Sequence, residues 1–538
     1  MRVRGPRPST PAPGHGPPPA PSRPSTRIQS PRQWWKKDDN RGRLSSALLS
    51  LLLTVGAPAT PPAAHAAFIP LEDRPALAVT SSAIRFLASP RPDIAAVQAA
   101  LVEAWGALRD QYVEPTAVTG PAWEAALRGA LASAAAAADT DAAWGVVEDL
   151  VGSLGDQYTR VLRPESGGSG AYAADLAGLG PSLGLQLTRQ PSSSSVTVAA
   201  VVPGSPADAT GVVAGQEVVA VNGVPAARVA PEDLARALAA EADLELRGDG
   251  RPTRTVHLTP ALVPLHAVQH AHLAAADGAR GGAAYLRIAA FNDLTPGDVA
   301  AALAALAPAR PAALILDLRD NAGGAVAAAV DVAGQLLLDG GRGTSTIPPP
   351  LLALVRDGRG GEEAVPVPRP AATTPAWPPS PRLPTAVLIN GGTASSSELL
   401  VGALAGGRRR DGGGGDGAGA DAGALLVGEK TFGKGRTQRS IQLGGPGGGG
   451  GGDKALLLVS NRTFTTPAGE AVDGVGLRPA VACVPGSTEA AFFVSGDGGG
   501  GHDGPGGSTA LAEALLGDPC VRLAAAELGV QLRVENEM

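Results

Sequence analysis

Hydrophobic residues recur at helical spacing in the first part of the chain. They then form short strand-like runs, and in the rest of the chain strand patterns alternate with helix patterns. From Asp93 to Pro164, apolar residues recur at helical spacing in three segments that are separated by Pro and Gly. The segments read VQAALVEAWGALRDQYV, AWEAALRGALASAAAA and AWGVVEDLVGSLGDQYTRVL. The pattern predicts three helices, and we assign residues 67–169 to an N-terminal helical domain.

From Gly178 to Thr259 the pattern changes to short strands. VTVAAVV is followed by a strand pair around an Asn222-Gly223 turn, a helix PEDLARALAA, and the strands DLELR and TRTVHLT. This order resembles a PDZ domain, and we place it at residues 170–262. PDZ domains capture a peptide carboxylate on backbone N–H groups of one loop and add the peptide as a strand. Leu183-Gly184-Leu185 occupies that loop position, although such a fold can instead merely pack on its neighbour.

Residues 263–485 alternate buried strands with helices, which is typical of an α/β domain. The strands are AAYLRIAAF, AALILDLRD and TAVLING, and the helices are DVAAALAALA, AVAAAVDVAGQLLL and SSSELLVGALAG. A Pro-rich stretch at 348–382 and Gly-rich stretches at 406–423 and 444–453 interrupt this alternation and indicate solvated insertions. Residues 486–538 are interpreted as a Gly-rich linker and C-terminal tail that ends with a helix. The fold class is therefore a multidomain α+β and α/β protein.

Composition excludes some functions. Hydrophobic residues make up 44% of the 538 residues, which supports a globular protein, and the net charge is −6. Because no basic patch is sustained outside the N-terminal tail, we expect no nucleic-acid partner. Cys483 and Cys520 match no metal-binding spacing, and they either pair in an oxidising compartment or remain free.

The first 66 residues have the composition of a targeting presequence in two parts. Arg, Ser, Thr and Pro dominate, and no acidic residue precedes Asp38. An apolar run, LSSALLSLLLTV, follows and leads to Ala64-His65-Ala66, which matches a signal-peptidase site. The run is shorter than the ~20 residues that span a bilayer. The arrangement resembles the bipartite presequence of thylakoid-lumen proteins, and the alternative is the tail of a bacterial protein exported to the periplasm.

Two segments of the α/β region carry candidate chemistry: NGGTASSSELLV at 390–401 and GEKTFGKGRTQ at 428–438. A serine hydroxyl becomes a good nucleophile only when a base removes its proton. None of the seven histidines lies in a strand-turn-helix element of this region, which argues against a Ser-His-Asp site. A lysine shielded from water can serve as the base instead. Lys434 lies between two glycines, although a lysine in such a turn is more often a solvated surface residue.

The order of several motifs resembles that of the C-terminal processing peptidases, also called tail-specific proteases. The motifs are LILDLRDNAGG, GGTASSSELLVGALAGG, LLVGEKTFGKGRTQ and LLLVSNRTFTTPAGEAVDGVGLRPA, and the likeness extends over residues 90–485. The resemblance implies a catalytic domain of the crotonase-like ββα type. It also implies a serine endopeptidase with a Ser–Lys dyad, which requires no metal or organic cofactor.

The resemblance assigns a role to five positions of this chain. Ser395 is the nucleophile, Lys434 is the general base, and Gln438 orients Lys434 by hydrogen bonding. Backbone N–H groups of Gly323 and Ser396 form the oxyanion hole, where the helix N-terminus favours negative charge.

Four neighbouring residues are expected to have structural roles, and three features depart from the family pattern. We expect Ser397 to cap the helix start, and the loop after LILDLRD to be held by Asp317, Arg319 and Asn321. The family's DPFTRF motif is DQYTRV here, at residues 156–161, and its closing Asp is Ala480. The Gly-rich insertion also separates Ser395 from Lys434 by more than is usual in the family. We interpret the first two departures as structural differences.

Taken with the presequence, the resemblance implies a substrate. A lumenal family member would remove the C-terminal extension of the photosystem II reaction-centre precursor. We expect a monomer with at most peripheral membrane contact and a protein substrate with a free C-terminus. The alternatives are a peptide-binding scaffold without catalysis, a Ser–Lys esterase or amidase that ignores the C-terminus, and a periplasmic family member with another substrate.

Overall fold

The computed structural model describes residues 86–164, 168–189, 195–229, 234, 238, 240–248, 252–276, 281–338, 350–368, 383–406, 423–444, 454–484, 494–495, 511–512 and 515–533. All of these lie in one of the chain's two structural units, Ala64–Met538. The predicted presequence lies outside the described residues, as do most of the helix expected at 231–240 and most of both Gly-rich insertions. No helix within the described ranges has the length and apolar character needed to cross a membrane.

The chain forms helices and strands throughout these ranges. The described helices are α1 (Pro92–Gln111), α2 (Pro121–Ala135), α3 (Thr140–Gly152), α4 (Gly168–Leu176), α5 (Pro206–Ala209), α6 (Thr295–Leu306), α7 (Val326–Leu337), α8 (Ser396–Gly406) and α9 (Pro519–Glu527). The described strands are β1 (Arg160–Leu162), β2 (Leu179–Ser182), β3 (Leu185–Arg189), β4 (Val196–Val201), β5 (Glu217–Val221), β6 (Val224–Pro225), β7 (Ala242–Arg247), β8 (Arg254–Leu258), β9 (Ala261–Pro264), β10 (Val268–Leu273), β11 (Ala283–Ile288), β12 (Ala313–Asp317), β13 (Leu351–Asp357), β14 (Glu362–Pro366), β15 (Thr385–Ile389), β16 (Leu425–Gly428), β17 (Arg436–Leu443), β18 (Ala455–Thr465), β19 (Val481–Ala482) and β20 (Val494–Ser495).

The N-terminal helices α1, α2 and α3 pack on one another and on the sheet that contains β17 and β18. Trp105 stacks on Trp123 with ring centroids 6.4 Å apart, and its Nε1 donates to the Trp123 carbonyl at 3.0 Å. The third predicted helix is wrong beyond Gly152, where α3 ends. Gly155 adopts a left-handed φ of +69°, and the chain then forms β1, which pairs antiparallel with β18. The segment DQYTRV therefore lies at a sheet edge and not on a helix.

The PDZ-like region is an antiparallel sheet in the order β20-β3-β4-β5-β7-β8, and β6 pairs with β5. Asn222 and Gly223 have positive φ angles of 50° and 76°, as a two-residue hairpin turn between β5 and β6 requires. The segments that enter and leave this region, β2 and β9, pair antiparallel with each other. Leu234 and Leu238, the described residues of the helix expected at 231–240, are buried in its core.

The α/β region contains a six-stranded sheet in the order β10-β11-β12-β15-β16-β19, parallel from β11 to β19. Alternate residues of the central strands point to opposite faces. Leu316 and Val387 pack in the cluster that includes α6, α7 and α8, whereas Ile315 and Leu388 pack in the cluster that includes α9. Both faces are covered, so the strand ends at one edge remain available for loops that carry function.

The predicted Pro-rich insertion at 348–382 is wrong for part of its length. Residues 351–366 form the hairpin β13–β14, which belongs to a five-stranded sheet with β1, β17 and β18. Leu352, Val355 and Val365 are buried in the core next to α8. Residues 369–382 lie outside the described residues. The short apolar run in LLALVRD is consistent with a buried strand, but the surrounding prolines indicated an insertion instead.

The final helix that the pattern predicts is α9, and a disulfide holds it to the α/β domain. Cys483, directly after β19, bonds to Cys520 in the first turn of α9, with Cα atoms 5.7 Å apart. Val521, Ala524 and Ala525 of α9 are fully buried. The structure therefore shows that the two cysteines are paired, which the sequence left open.

Candidate active site

Ser395 lies at the junction between a strand and a helix. The chain leaves β15 at Ile389, turns through residues 390–395, and enters α8 at Ser396. Ser395 has a left-handed φ of +57°, which is uncommon for a residue other than glycine. Such strain is often retained where a reactive side chain must be presented. The turn thus places a partly exposed serine at the N-terminus of a buried helix.

The buried carboxylate of Glu398 joins the Ser395 turn to the loop that carries Lys434. Its Oε2 accepts hydrogen bonds from the backbone N–H of Ser395 at 2.9 Å and from that of Lys434 at 2.8 Å. Its Oε1 accepts from the Thr431 hydroxyl at 2.6 Å and from the Gly433 N–H at 2.8 Å. The side chain is fully buried, and the four donors match the acceptor capacity of an ionised carboxylate. Glu398 thereby holds Ser395 and Lys434 next to one another.

The lysine side chain is oriented as the family resemblance implies. Lys434 Nζ donates to Gln438 Oε1 at 2.7 Å, and Gln438 Nε2 donates to the Tyr158 carbonyl at 2.6 Å. Nζ also lies 5.0 Å from the centre of the Tyr158 ring. The structure therefore brings Ser395, Lys434 and Gln438 into one site. It adds Tyr158, from the segment DQYTRV that we interpreted as a structural difference.

Burial lowers the pKa of Lys434 below its ordinary value, and the nearby positive charge of Arg160 lowers it further. The charge of Asp156 acts in the opposite direction, but it does not compensate. A lower pKa increases the fraction of neutral amine near neutral pH, and only the neutral amine can accept a proton. The environment of Lys434 thus suits a general base and differs from that of a solvated turn lysine.

The loop after β12 contacts the Ser395 turn closely. A Cβ on Gly323, whose φ is +103°, would lie 2.9 Å from the Ala394 carbonyl oxygen and from Ser395 Cβ, so only glycine fits there. Both predicted oxyanion donors, Gly323 and Ser396, are therefore next to the candidate nucleophile. In this structure the Gly323 N–H donates to Asn321 Oδ1 at 2.9 Å.

Buried ionic and polar contacts hold this loop. Arg319 donates to both oxygens of Asp317, at 2.6 to 3.1 Å, and the Tyr285 hydroxyl donates to the same carboxylate at 2.7 Å. Burial raises the pKa of Asp317, but the Arg319 hydrogen bonds and charge outweigh it and leave the pKa below its ordinary value. The Asn321 amide donates to the Ile288 carbonyl at 2.9 Å. These contacts agree with the expected structural roles of Asp317, Arg319 and Asn321.

The expected cap at Ser397 is wrong. Ser397 lies inside α8, and its hydroxyl donates to the Asn321 carbonyl at 2.9 Å. The Ser396 hydroxyl likewise donates to the Gly324 carbonyl at 2.8 Å. Both hydroxyls thus attach the helix to the neighbouring loop, and it is Glu398 that bonds back to the N–H of Ser395, the residue just before the helix.

The predicted carboxylate loop of the PDZ-like region is tightly packed. The N–H of Leu183 donates to the Leu238 carbonyl at 2.9 Å, and that of Gly184 donates to the Ser182 hydroxyl at 3.0 Å. The side chains of Leu183 and Leu185 are fully buried. Beyond the loop, the edge of β3 is paired antiparallel with β20 from the C-terminal segment.

The histidines whose contacts are described bond away from Ser395. His257 contacts Asp243 and Glu241, His266 contacts Asp298, and His272 contacts the Gly281 carbonyl. No group of three or more His, Cys, Asp or Glu side chains suited to a metal ion occurs in the described part of the chain.

Sequence reasoning missed Glu398 and Tyr158 as site residues. Glu398 stands three positions after Ser395, the spacing of a capping box, which could have indicated its bond to the Ser395 N–H. The contact of Tyr158 with Gln438 spans 280 positions, and no local signal could have shown it.

Comparisons with known proteins match both the α/β region and the PDZ-like region. A model of peptidase family S41 matches residues 282–483, and a PDZ domain model matches residues 197–247. Carboxyl-terminal-processing peptidase 3, chloroplastic, from Arabidopsis thaliana is 30% identical over 77% of this chain and 74% of its own. The chloroplastic C-terminal processing peptidase of Tetradesmus obliquus is 29% identical over 76% of this chain and 78% of its own. A solved photosystem II D1 C-terminal processing protease has 26% identity, covers 72% of this chain and 93% of that chain, and has a TM-score of 0.41.

The two family models and the Arabidopsis relative define a serine-type peptidase that carries a PDZ domain. The chain belongs to the carboxyl-terminal-processing peptidases of peptidase family S41.

We expect Glu398→Gln to lower kcat by about a hundredfold or more, because an amide replaces one acceptor oxygen with a donor and misplaces Ser395 or Lys434. Peptide cleavage and peptide binding, measured separately, check this prediction. Glu429→Gln is a matched control, since Glu429 is an exposed acidic residue on the loop that carries Lys434. An unchanged kcat in Glu398→Gln would contradict the role assigned to the carboxylate.

Substitutions near Lys434 should shift the pH profile in opposite directions. Arg160→Gln removes a positive charge and should raise the Lys434 pKa, so the rise of kcat/KM with pH moves to higher pH. Asp156→Asn removes a negative charge and should move the rise to lower pH. Profiles recorded at low ionic strength test this pair, because salt screens exposed charges. Shifts in the same direction would argue against Lys434 as the titrating base.

Proposed function

We propose that this chain is a Ser–Lys endopeptidase that binds the free C-terminus of a protein and cleaves a bond upstream of it. The observation that carries the proposal is the Glu398 carboxylate, one oxygen of which accepts the backbone N–H groups of both Ser395 and Lys434. A scaffold without catalysis has no need for a buried carboxylate between these two loops. The lowered pKa of Lys434 supports the same proposal.

The proposed reaction begins when the neutral Lys434 amine takes the proton of the Ser395 hydroxyl as Oγ attacks the substrate carbonyl. Backbone N–H groups of Ser396 and Gly323 would stabilise the oxyanion. The Gly323 N–H now bonds to Asn321, so it becomes a donor to the oxyanion only when that bond breaks. Lys434 then gives its proton to the leaving amine, and water hydrolyses the acyl-enzyme in the same way.

Substrate capture would use the β3 edge of the PDZ-like sheet. PDZ domains bind a peptide as an added strand, with main-chain hydrogen bonds to the sheet edge. In this chain β20 is paired with β3 at that edge, through Val494 opposite Leu187 and Ser495 opposite Gln186. We propose that the substrate strand takes the place of β20, so that the two compete.

We also propose a location and a substrate for this chain, both of which are more specific than membership of the family. The presequence pattern and the chloroplastic relatives support the thylakoid lumen, and the precursor of a photosystem II reaction-centre protein is the proposed substrate. We propose that the peptidase works as a monomer with at most peripheral membrane contact.

The central test compares an unstructured peptide that has a free C-terminus with its amidated twin. Protein starting at Ala67 should cleave the free peptide at least about tenfold faster, because the amide removes the negative charge of the C-terminus that the PDZ-like region is proposed to capture. Ser395→Ala and Lys434→Ala should abolish cleavage, whereas Lys430→Ala, an exposed lysine of the same loop, should not.

Two results would reject this proposal in different ways. Binding without cleavage from about pH 6 to pH 9.5, the range that brackets a lysine base of lowered pKa, would favour the scaffold. Equal cleavage of both peptides would favour a Ser–Lys amidase that ignores the C-terminus.

Competition by β20 predicts that Val494→Pro with Ser495→Pro lowers KM. Successive backbone N–H groups of a strand point to opposite edges, so the pair removes whichever one faces β3. KM should fall about two- to tenfold with kcat unchanged, as expected when a competing state is lost. Val494→Ala with Ser495→Ala keeps both N–H groups and is the matched control. A KM equal to that of the control would show that β20 does not compete.

A further inference from the structure

One carboxylate of the C-terminal segment reaches the loop that lies beside Ser395. Asp518 Oδ2 is 2.8 Å from Arg319 Nη2, and the two side chains are only 9% and 8% exposed. Arg319 is also paired with Asp317, at 2.6 Å from the same nitrogen. A single guanidinium is thus held between the end of β12 and the start of α9.

The two oxygens of Asp518 have separate partners. Oδ1 accepts from the backbone N–H groups of Cys520 at 2.8 Å and of Val521 at 3.3 Å, which caps α9. Oδ2 remains for Arg319. The helix therefore fixes the direction of the carboxylate, and any displacement of α9 moves Asp518 away from Arg319.

The disulfide holds α9 in the position that this ion pair requires. Cys520 is bonded to Cys483, whose backbone N–H donates to the Gly428 carbonyl at 3.0 Å. Gly428 ends β16, the strand that leads into the loop of Lys434. A disulfide therefore joins α9 to Cys483, which is hydrogen-bonded to the end of β16, and an ion pair joins the start of α9 to Arg319.

Arg319 lies in the loop 318–324, which contacts the Ser395 turn. The carbonyl of Leu318 accepts from the Thr393 hydroxyl at 2.9 Å, and that of Asn321 accepts from the Ala394 N–H at 2.9 Å. Gly323, in the same loop, touches Ser395. Arg287 Nη1 also lies 3.5 Å from Asp317 Oδ2, so two guanidiniums face the two carboxylates. Loss of the Asp518 charge leaves this largely buried cluster with a net positive charge, and the structure around it rearranges.

From these contacts we propose that Asp518 is a positioning residue for the peptidase reaction. It acts through Arg319 to hold loop 318–324 against Ser395, and the Cys483–Cys520 disulfide keeps it in place. The inference rests on the peptidase function proposed above. It predicts that an intact C-terminal helix is required for turnover, although α9 supplies no group that touches the substrate.

Asp518→Asn separates the ion pair from the helix cap. Asparagine caps helices as well as aspartate does, so α9 should keep its first turn while Arg319 loses a charge partner. We expect kcat to fall about ten- to hundredfold, as small displacements in an active site cause, with KM unchanged. Asp518→Ala should lose as much kcat and also lower the Tm. Asp139→Asn, at the cap of α3, is the matched control and should leave kcat unchanged.

Reduction of the disulfide tests the same pathway independently. A thiol reductant should lower the kcat of the wild type but should not lower that of Asp518→Asn further, because two changes that act through one contact are not additive. Cys483→Ser with Cys520→Ser should behave like the reduced wild type and should no longer respond to the reductant.

Failure of this inference can be distinguished from failure of the proposed function. If the wild type cleaves and Asp518→Asn has the same kcat, or loses only Tm, the positioning role is rejected and the peptidase stands. If the wild type cleaves nothing, the peptidase proposal fails. Amide hydrogen exchange of residues 318–324 then decides whether Asp518 positions this loop. Faster exchange in Asp518→Asn would support the positioning of the loop, and unchanged exchange would overturn it.

Discussion

The carboxylate of Glu398 is the contact on which the site depends. It accepts hydrogen bonds from the N–H groups of Ser395 and of Lys434, which stands 36 positions after Glu398. The carboxylate is completely buried. Burying a charge is unfavourable unless hydrogen bonds satisfy it, and here each oxygen accepts two. The same requirement holds the two loops together, because separating them would leave a buried charge without partners. The Gly-rich insertion at 406–423 separates these loops in sequence. Glu398 nevertheless bonds both to Ser395, before the insertion, and to Lys434, after it.

Around this contact the structure adds supports from distant parts of the chain. Tyr158, from the segment after the N-terminal helices, holds Gln438 and faces Lys434. Asp518, from the C-terminal helix, holds Arg319. Segments from the N-terminal and the C-terminal regions thus contribute to the geometry of a candidate site that lies in the α/β domain. The lowered pKa of Lys434 depends on such enclosure, since water around the amine would restore its ordinary pKa.

Much of the fold and of the site was predictable because it depends on local patterns. The strand and helix periods located the three regions, and Asn222-Gly223 identified its turn from residue type alone. Motifs in family order singled out Ser395, Lys434 and Gln438 as candidates, and the structure places these residues together. Where prediction was wrong, tertiary contacts decided: α3 ended early at a glycine turn, the Pro-rich stretch formed β13 and β14, and Ser397 bonded to Asn321 instead of capping α8.

The sequence by itself determined most of the helices, strands and turns and pointed to the residues of the candidate site, because helix, strand and turn preferences act between near neighbours. It left open the pairing of Cys483 with Cys520, the reach of Asp518 to Arg319 and the environment that lowers the Lys434 pKa. These features depend on which distant groups are brought to within a few ångströms of each other and on how far water is excluded from them. Only the packing of the folded chain sets those distances and that exclusion.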